Sequence, residues 1–282
     1  MLSMKIEDKI GLGTVQFGLS YGISNTSGQT PSSEVEHILN FAKKSGITLL
    51  DSAAAYGNAE EVLGNKETTG FKLVSKFRPA VEGRTVEDQL KKSLTDLKRP
   101  SIYAYLAHSP QALLESPEEW DRLKMLKEQG KTTKIGYSLN APWELEELLE
   151  LEYIPDLVQL PYNYFDRRFE SKLGKLKNLG CEVHSRSAFF QGLFFVDPEG
   201  LDAFFDPIKP DLSALQKHPS FSAGSLLKFV IGNEQIDKVI IGVETVQQLK
   251  DTLNDIKTAE DLPQMTKAID PTILIPSNWP KK

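Results

Sequence analysis

Residues 47–64 read ITLLDSAAAYGNAEEVLG and contain one complete unit of the fold. The run ITLL has the length and composition of a buried strand, and Asn58, three residues before Glu61, has the spacing of a helix start. The same start signal recurs at Ser33 with Glu36 and at Ser116 with Glu119. Seven further apolar runs lie at residues 10–13, 72–75, 102–106, 133–137, 157–160, 182–185 and 238–241. Eight strand-then-helix units are therefore expected.

The eight units predict an α/β protein whose strands close into a (β/α)8 barrel, the TIM-barrel fold. Most runs are separated by roughly 25 to 35 residues, and an open doubly wound sheet usually has fewer strands. No linker or change in composition divides the chain, so we expect a single domain over residues 1–282. Two regions depart from this rhythm: a long aromatic-rich loop after the seventh run, at residues 189–211, and a proline-rich tail, at residues 262–282, expected to lie extended across the barrel.

The composition is that of a globular chain with an acidic balance. The 282 residues include 33 Lys and Arg against 39 Asp and Glu, so nucleic acid and anionic membranes are poor partners. The first residues lack the apolar segment of a secretion signal, and no apolar stretch is long enough to span a membrane. One cysteine and four histidines have no metal-binding spacing, so no metal site is expected. A cytoplasmic location is expected, and both a monomer and a homo-oligomer remain open.

Polar side chains follow successive runs at the points where the strands end. Asp51 comes directly after the second run and Tyr56 five residues later, while Lys76 follows the third run and His108 the fourth. In a barrel of this kind the carboxyl ends of the strands form the reactive face. We therefore expect these four side chains to lie close together.

These four residue types suit proton transfer. A free tyrosine has a pKa of about 10, but an adjacent ammonium group stabilises the phenolate and lowers that pKa. We predict that Lys76 lowers the pKa of Tyr56, that Asp51 keeps Lys76 charged, and that His108 donates a hydrogen bond to a carbonyl oxygen. Taken singly, each residue also has an ordinary structural alternative: Asp51 as a loop cap, Lys76 as a solvated strand end and His108 as a turn residue.

Residues 51–64, DSAAAYGNAEEVLG, resemble the signature of the aldo-keto reductase superfamily. Further similar segments lie along nearly the whole chain, at residues 11–14, 74–76, 108, 134–138, 158–163, 191–193 and 241–245. The resemblance implies a (β/α)8 barrel that binds NAD(H) or NADP(H) without a Rossmann fold, and the chain lacks the Gly-x-Gly-x-x-Gly spacing of that fold. The implied reaction interconverts a carbonyl, in an aldehyde, ketone or aldose, and an alcohol.

The resemblance also implies a role for individual residues. Tyr56 is the implied proton donor, and Ser138 with Gln159 would hold the carboxamide of the nicotinamide ring. The catalytic set is Asp51, Tyr56, Lys76 and His108. The set assigned to the cofactor is Gly13, Thr14, Asp51, Ser138, Gln159, Arg186, Ser187, Gly192, Leu193, Gly242, Glu244, Thr245 and Gln248. The set assigned to the substrate is Gln16, Tyr21, Tyr56, His108 and Tyr162, in a rim that also includes Phe17, Trp143, Phe189 and Phe194.

Two positions near the nicotinamide depart from the family pattern. The family often has Asn directly after the serine, whereas here Leu139 intervenes and Asn140 follows, where we predict the N-cap of a helix beginning at Pro142. Many members stack a tyrosine on the nicotinamide at the end of the seventh strand, where this chain has Arg186. A guanidinium there could stack, bind a phosphate or carboxylate, or form a rim salt bridge.

A third departure concerns the adenosine end of the cofactor. Members that use NADP(H) usually offer Lys, Arg or Ser to the 2′-phosphate after the eighth strand, but residues 242–248, GVETVQQ, contain no cation. Glu244 could accept a hydrogen bond from a ribose hydroxyl, as acidic residues do where NAD(H) is selected, while Lys250 could compensate for the missing cation. Both cofactors stay open.

Two other functions stay open beside the leading one. A nucleotide-sensing regulatory subunit would share the barrel and the cofactor, although such a sensor need not keep Tyr56. Lys76 could instead form a Schiff base, as in an aldolase-like or pyridoxal-phosphate barrel. An NAD(P)-dependent oxidoreductase uses all four strand-end residues and is the leading prediction.

Overall fold

A computed structural model describes residues 6–79, 83–265 and 267–280 of the chain. Eight parallel strands close into a barrel in chain order, with the last strand hydrogen-bonded to the first. The strands are β1 (Ile10–Gly13), β2 (Leu49–Asp51), β3 (Lys72–Phe77), β4 (Ile102–Ala107), β5 (Thr132–Ser138), β6 (Leu157–Pro161), β7 (Glu182–Arg186) and β8 (Lys238–Gly242). Each strand overlaps one predicted run, which confirms the (β/α)8 barrel.

Helices follow the strands around the outside of the barrel. They are α1 (Val15–Gly18), α2 (Ser32–Lys44), α3 (Ala59–Gly64), α4 (Val86–Asp96), α5 (Gln111–Leu114), α6 (Glu118–Glu128), α7 (Pro142–Glu150), α8 (Glu170–Asn178), α9 (Lys209–Gln216), α10 (Ala223–Ile231) and α11 (Val246–Asp255). Within the described ranges, none of these helices has the length and apolar character needed to span a bilayer.

The predicted helix starts are right at one place and wrong at two. Asn58 directly precedes α3, as predicted, although its side chain makes no capping hydrogen bond. The predicted caps Ser33 and Ser116 are wrong, because α2 begins after Pro31 and α6 begins after Pro117. At both places a proline, whose φ is fixed near the helical value, occupies the residue before the helix.

Alternate residues of each strand point into the barrel or out toward the helices. The inner positions form a small closed core of Leu49, Val74, Ala104, Leu106, Leu157 and Ile240. The outer positions join the helices in a larger core. The same period of two places Asp51, Lys76 and Gln159 on the inner face, each two residues beyond a member of the inner core.

The aromatic-rich loop after β7 and the tail form a second core beside the barrel. The loop contains short 3-10 turns at Phe190–Phe195, Pro198–Gly200 and Ala203–Phe205. The buried members of this core are Tyr164, Phe165, Phe190, Leu193, Phe194, Leu201, Phe205, Ile208, Leu212, Leu215, Leu226, Ile269, Ile273 and Leu274. Trp279 from the tail contacts Phe190 and Phe205 at ring-centroid distances of 5.3 and 5.2 Å. The irregular tail thus packs against this loop, whereas the sequence predicted only an extended path across the barrel.

Candidate active site

A buried ion pair lies at the carboxyl ends of β2 and β3. The Lys76 Nζ donates to Asp51 Oδ2 over 2.7 Å and to the Ser52 carbonyl oxygen over 2.8 Å. The Gln159 Nε2 donates to the other carboxylate oxygen of Asp51 over 2.8 Å. Burial lowers the pKa of Lys76, and the Asp51 carboxylate opposes that change. Lys76 is therefore a fixed, buried group and does not end in solvent.

The loop after β2 brings Tyr56 to the same place. The Lys76 Nζ lies 5.2 Å from the centroid of the Tyr56 ring, and that ring meets the His108 imidazole edge-on with centroids 5.6 Å apart. Two glycines set the path of the loop: Gly57 has a φ of 58°, and a Cβ on Gly18 would lie 1.9 Å from the Tyr56 carbonyl oxygen. The loop therefore lies directly against α1. This contact holds Tyr56 at the carboxyl-terminal end of the strands, and we call this end the mouth of the barrel.

Burial, more than charge, sets the protonation of Tyr56 and His108. Burial raises the pKa of Tyr56 well above its usual range, and the Asp51 carboxylate raises it further. Burial lowers the pKa of His108 to about 3, and the positive charges of Lys76 and Arg186 add to the effect. The predicted net lowering of the Tyr56 pKa is wrong, because desolvation of the phenol and the Asp51 carboxylate both raise this pKa. At neutral pH the site holds a protonated phenol and a neutral imidazole.

The ends of β1 and β8 form another side of the mouth. Thr14 donates from its backbone N–H and its hydroxyl to the Asp51 carbonyl oxygen, over 3.0 and 3.1 Å, and so positions that residue. Gly13 is the register partner of both Asp51 and Gly242. A Cβ on Gly242 would lie 2.7 Å from the Gln16 side-chain amide. The Gln16 Oε1 is buried without a hydrogen-bond donor among the described residues, so the mouth offers an unused acceptor.

The residues predicted to bind adenosine lie at the start of α11. Thr245 caps the helix by accepting a hydrogen bond from the Gln248 N–H over 3.1 Å, and Gln248 Oε1 accepts one from the Glu244 N–H over 2.7 Å. The Glu34 carboxylate of α2 accepts a hydrogen bond from the Val246 N–H over 2.6 Å. A carboxylate thus already lies on this helix N-terminus, a position that favours anions. No local sequence pattern marks Glu34 for this role, because Val246 lies far away along the chain.

The loop after β7 contacts the loop after α1. Ser187 and Gln191 have φ angles of 63° and 53°, in the left-handed region that non-glycine residues rarely adopt. The Ile23 N–H donates to the Gln191 carbonyl oxygen over 3.0 Å, and a Cβ on Gly192 would lie 2.0 Å from the Ser24 Oγ. We call this contact of residues 23–24 with residues 191–192 the loop clasp. It places the backbone of Gly192 beside the mouth.

Arg186, the last residue of β7, extends across the mouth to the loop after β5. Its Nη2 donates to the Leu139 carbonyl oxygen over 2.8 Å and to Asn140 Oδ1 over 2.5 Å. Its Nη1 donates to the Ser187 Oγ over 3.4 Å. Within the described ranges, Arg186 forms no ion pair. Hydrogen bonds to neutral groups hold its side chain, and not the rim salt bridge that was one of the alternatives.

Asn140 contacts Arg186 because it does not cap α7. The residue before this helix is Ala141, so the prediction of an Asn140 N-cap is wrong. The Glu144 carboxylate accepts hydrogen bonds from the backbone N–H groups of Asn140 and Ala141, over 2.6 and 2.9 Å. Since Glu144 satisfies these donors, the Asn140 side chain is left to accept from the guanidinium.

The residues assigned to the substrate divide between the mouth and the core. Tyr21 is 37% exposed, and burial of its hydroxyl raises its pKa to about 12, with Tyr56 close enough to add to the effect. The Tyr162 ring stacks on Phe229 with centroids 5.8 Å apart, and its hydroxyl donates to Glu170 over 3.0 Å. The assignment of Tyr162 is therefore wrong: it lies an odd number of residues beyond the inward Gln159 and points out to the helices.

Three more side chains assigned to the mouth lie in cores. Phe17 has no exposed surface and belongs to the larger core, while Leu193 and Phe194 are fully buried in the second core. Their side chains are therefore not available to a ligand, which corrects the assignments of Phe17 and Phe194 to the rim, whereas Leu193 keeps its backbone for the predicted contact with the cofactor. Phe189 is partly buried against both cores, and Trp143 is 57% exposed at the start of α7. The aromatic residues of the loop mainly stabilise the loop itself.

Comparison with known proteins identifies the family. Residues 9–270 match the model of the aldo/keto reductase family, and the chain belongs to this family, whose enzymes are oxidoreductases that use nicotinamide dinucleotides. Over 184 residues the chain is 29% identical to aldo-keto reductase YhdN of Bacillus subtilis, a match that covers 58% of this chain and only 53% of that protein. Over 261 residues it is 24% identical to aflatoxin B1 aldehyde reductase member 2 of Homo sapiens, covering 74% and 73%.

Solved structures show the same fold. The holo form of aldo-keto reductase AKR11C1 from Bacillus halodurans matches with a TM-score of 0.71 at 19% identity, over 90% of this chain and 88% of that one. Its apo form matches with a TM-score of 0.69 at 21% identity, over 90% and 87%. At these identities the likeness supports the barrel, and the roles of individual residues rest on the geometry of this chain.

Proposed function

We propose that this chain is an NAD(P)-dependent oxidoreductase that interconverts a carbonyl compound and an alcohol, with Tyr56 as proton donor and acceptor. The observation that carries the proposal is the convergence of four side chains at one mouth of the barrel: Asp51, Tyr56, Lys76 and His108. A bound nicotinamide would supply the hydride or accept it. The protein residues then have to orient the carbonyl and move one proton.

The two aromatic residues divide this work. With a pKa of about 3, His108 stays neutral at physiological pH and would donate an N–H to the carbonyl oxygen. The Tyr56 hydroxyl stays protonated because its pKa is raised, and it would transfer its proton to the same oxygen as negative charge develops there. The Lys76 ammonium, 5.2 Å from the ring centroid, would stabilise the phenolate that remains. Asp51 supports this step by keeping Lys76 charged despite its burial.

The chemistry of the mouth fits a nicotinamide dinucleotide. The Gln16 Oε1 is a buried acceptor without a donor among the described residues, and the cofactor carries amide and hydroxyl donors. Ser138 and Gln159 are register partners at the ends of β5 and β6, where their side chains would hold the carboxamide. Gly192 would offer its backbone beside them.

The start of α11 favours NAD(H) over NADP(H). By the family resemblance, the adenosine end lies there, and a 2′-phosphate would meet the carboxylates of Glu34 and Glu244. The nearest cation in sequence, Lys250, lies over the Phe41 ring, with its Nζ 5.6 Å from the ring centroid. Either carboxylate could accept a hydrogen bond from a ribose hydroxyl instead.

Cofactor titration tests this preference. We expect NADH to bind about tenfold or more tightly than NADPH in a fluorescence titration, since like charges disfavour the phosphate. The double substitution Glu34→Gln with Glu244→Gln should reduce the ratio of the NADH affinity to the NADPH affinity. Glu36 is an exposed carboxylate that lies on α2 with Glu34, and Glu36→Gln should leave this ratio unchanged. Equal affinity of the wild type for both cofactors would contradict the preference.

Removal of one hydroxyl tests the proposed reaction. We expect Tyr56→Phe to slow aldehyde-dependent oxidation of bound NAD(P)H by about 10²–10⁴-fold in a stopped-flow trace, with cofactor affinity retained. The control is Tyr164→Phe, which removes a phenol hydroxyl that donates to the Pro263 carbonyl oxygen over 2.8 Å, away from the mouth. Full activity of Tyr56→Phe would refute the assigned donor. A wild type that binds the cofactor without any turnover would favour the nucleotide-sensing subunit.

The contacts of Lys76 argue against the Schiff-base alternative. Its Nζ is held by Asp51 and by the Ser52 carbonyl oxygen, and its side chain has no exposed surface. Attack on a carbonyl needs a neutral amine with room for the substrate, and the carboxylate partner favours the charged form. We therefore expect no product from borohydride trapping at Lys76, which mass spectrometry would check.

A further inference from the structure

We propose that Arg186 selects carbonyl substrates that carry an anionic group, either a carboxylate or a phosphate ester. The proposal rests on the proposed function, because it names the substrate class of the same mouth. It goes beyond the proton chemistry of Tyr56 and His108, which is indifferent to the rest of the substrate. Three observations on the described residues carry it.

The first observation is that Arg186 is a half-buried cation with neutral partners. Its Nη2 donates to the oxygens of Leu139 and Asn140, its Nη1 makes one long hydrogen bond to Ser187, and its Nε donates none among the described residues. A guanidinium is a rigid fork of donors that matches a carboxylate or phosphate. Here one side of the fork is anchored, and the other has unused N–H groups.

The second observation is that Arg186 faces the reacting groups. Burial dominates the pKa values of Tyr21, Tyr56, Lys76 and His108, and the charge of Arg186 acts on all four, opposing the increase at the two tyrosines and adding to the decrease at Lys76 and His108. These four residues lie on or after β1, β2, β3 and β4. Arg186 itself ends β7, on the other side of the opening. A substrate whose carbonyl oxygen lies between Tyr56 and His108 would therefore extend its remaining atoms toward the guanidinium.

The third observation is an excess of positive charge at the mouth. The charge of Asp51 balances that of Lys76, while His108 is neutral and Tyr56 is protonated. The charge of Arg186 therefore has no counter-charge among these four groups. Arg78, after β3, adds to the positive potential felt at His108. An anionic substrate would remove this excess through charge-assisted hydrogen bonds, whereas a neutral substrate would leave it in place.

The test compares pairs of aldehydes of which one member carries an anionic group and the other is neutral. The pairs are 4-formylbenzoate with its methyl ester, and glyceraldehyde 3-phosphate with glyceraldehyde, assayed with the wild type and with Arg186→Met. We expect the wild type to prefer one or both anions by about tenfold or more in kcat/KM, and the pair with the larger preference identifies carboxylate or phosphate. In Arg186→Met that preference should largely disappear, mainly through a higher KM for the anions, so that the anions lose more activity than the neutral aldehydes do.

Two further variants separate charge from structure. Arg186→Lys keeps the charge and should restore part of the preference, while Arg122→Met, on the outer helix α6, should leave it unchanged. Equal losses for charged and neutral aldehydes would assign Arg186 to the shape of the mouth or to the cofactor and would overturn the proposal. A wild type without preference for either anion would also overturn it.

A binding measurement keeps this proposal separate from the proposed reaction. Benzoate and benzamide are titrated calorimetrically into the cofactor-loaded wild type and into Arg186→Met. If the wild type alone binds benzoate more tightly than benzamide, the anion site stands even where no aldehyde is turned over, and only the proposed function fails. If Arg186→Met binds benzoate as well as the wild type does, the anion site is refuted whatever the turnover.

Discussion

The charge of Lys76 lies in a fully buried position and is balanced by one carboxylate, Asp51. Removing one partner of a buried pair leaves the other uncompensated, while removing both costs less. We expect Asp51→Asn to lower the free energy of unfolding by about 3 kcal/mol, and Asp51→Asn with Lys76→Met to recover more than half of that loss. Urea unfolding of the single and double variants checks this, and strictly additive losses would show that the two residues are not coupled.

At the same scale, parity along a strand explains why Gln159 points into the barrel and Tyr162 does not. Gln159 lies on β6 and Tyr162 directly follows this strand, but only Gln159 shares the inward face with Leu157. Counting by two from Leu157 would have excluded Tyr162, so the sequence held enough information. The contact of Glu34 with Val246 is different, because it exists only where closure of the barrel brings α2 beside α11. No local pattern could have predicted it.

At the scale of elements, the strands were predictable because each contains an apolar run. The position of Tyr56 was not, because it depends on how the loop after β2 packs. Gly18 at the end of α1 lies so close that a Cβ there would be 1.9 Å from the Tyr56 carbonyl oxygen. We expect Gly18→Ala to push this loop away from α1 and to lower kcat about tenfold or more, because small displacements of a reacting group are costly.

The matched control for this element is Gly200→Ala. Gly200 lies in a 3-10 turn of the second core, has no heavy atom within 4 Å of the added Cβ, and has an ordinary φ. Steady-state kinetics and a thermal melt of both variants separate displacement of Tyr56 from general loss of stability. Normal kcat in Gly18→Ala would show that the loop tolerates movement.

At the scale of the whole molecule, the two ends of the barrel have different charge arrangements. The amino-terminal end holds Glu182, which accepts hydrogen bonds from the Tyr103 hydroxyl and the Lys134 Nζ, each over 2.5 Å. Its other oxygen lies 2.7 Å from the His184 Nε2. Residues at this end of a (β/α)8 barrel typically serve stability, whereas the proposed catalytic residues lie at the opposite end. No local sequence pattern marks this cluster, because its members come from three strands.

Glu182→Gln tests the division between the two ends. Although burial opposes it, hydrogen bonding with His184, Lys134 and Tyr103 lowers the pKa of Glu182 well below its usual range. A carboxylate with a lowered pKa in the folded state contributes stability above its unfolded pKa of about 4.3, and that contribution is lost as the pH falls below it. We expect Glu182→Gln to cost about 2–4 kcal/mol at pH 7, with a smaller difference from the wild type at pH 3 and unchanged kcat.

The control for this prediction is a surface ion pair. Glu146→Gln removes the partner of Lys172 on the helices outside the barrel, and exposed pairs of this kind contribute little to stability because water and salt screen them. Denaturant unfolding of both variants at pH 7 and pH 3 makes the comparison. A loss in Glu182→Gln that does not shrink with falling pH would remove the carboxylate charge as its cause.

The second core has a consequence for how long a nucleotide would stay bound. The tail and the loop after β7 share this core, so we expect them to open together as one cooperative unit while the barrel stays closed. Opening it would uncover Phe190 and separate Gly192 from Ser24, which releases the loop clasp while the strands stay paired. We therefore expect Trp279, which is remote in sequence from the proposed catalytic residues, to influence how long a bound nucleotide stays.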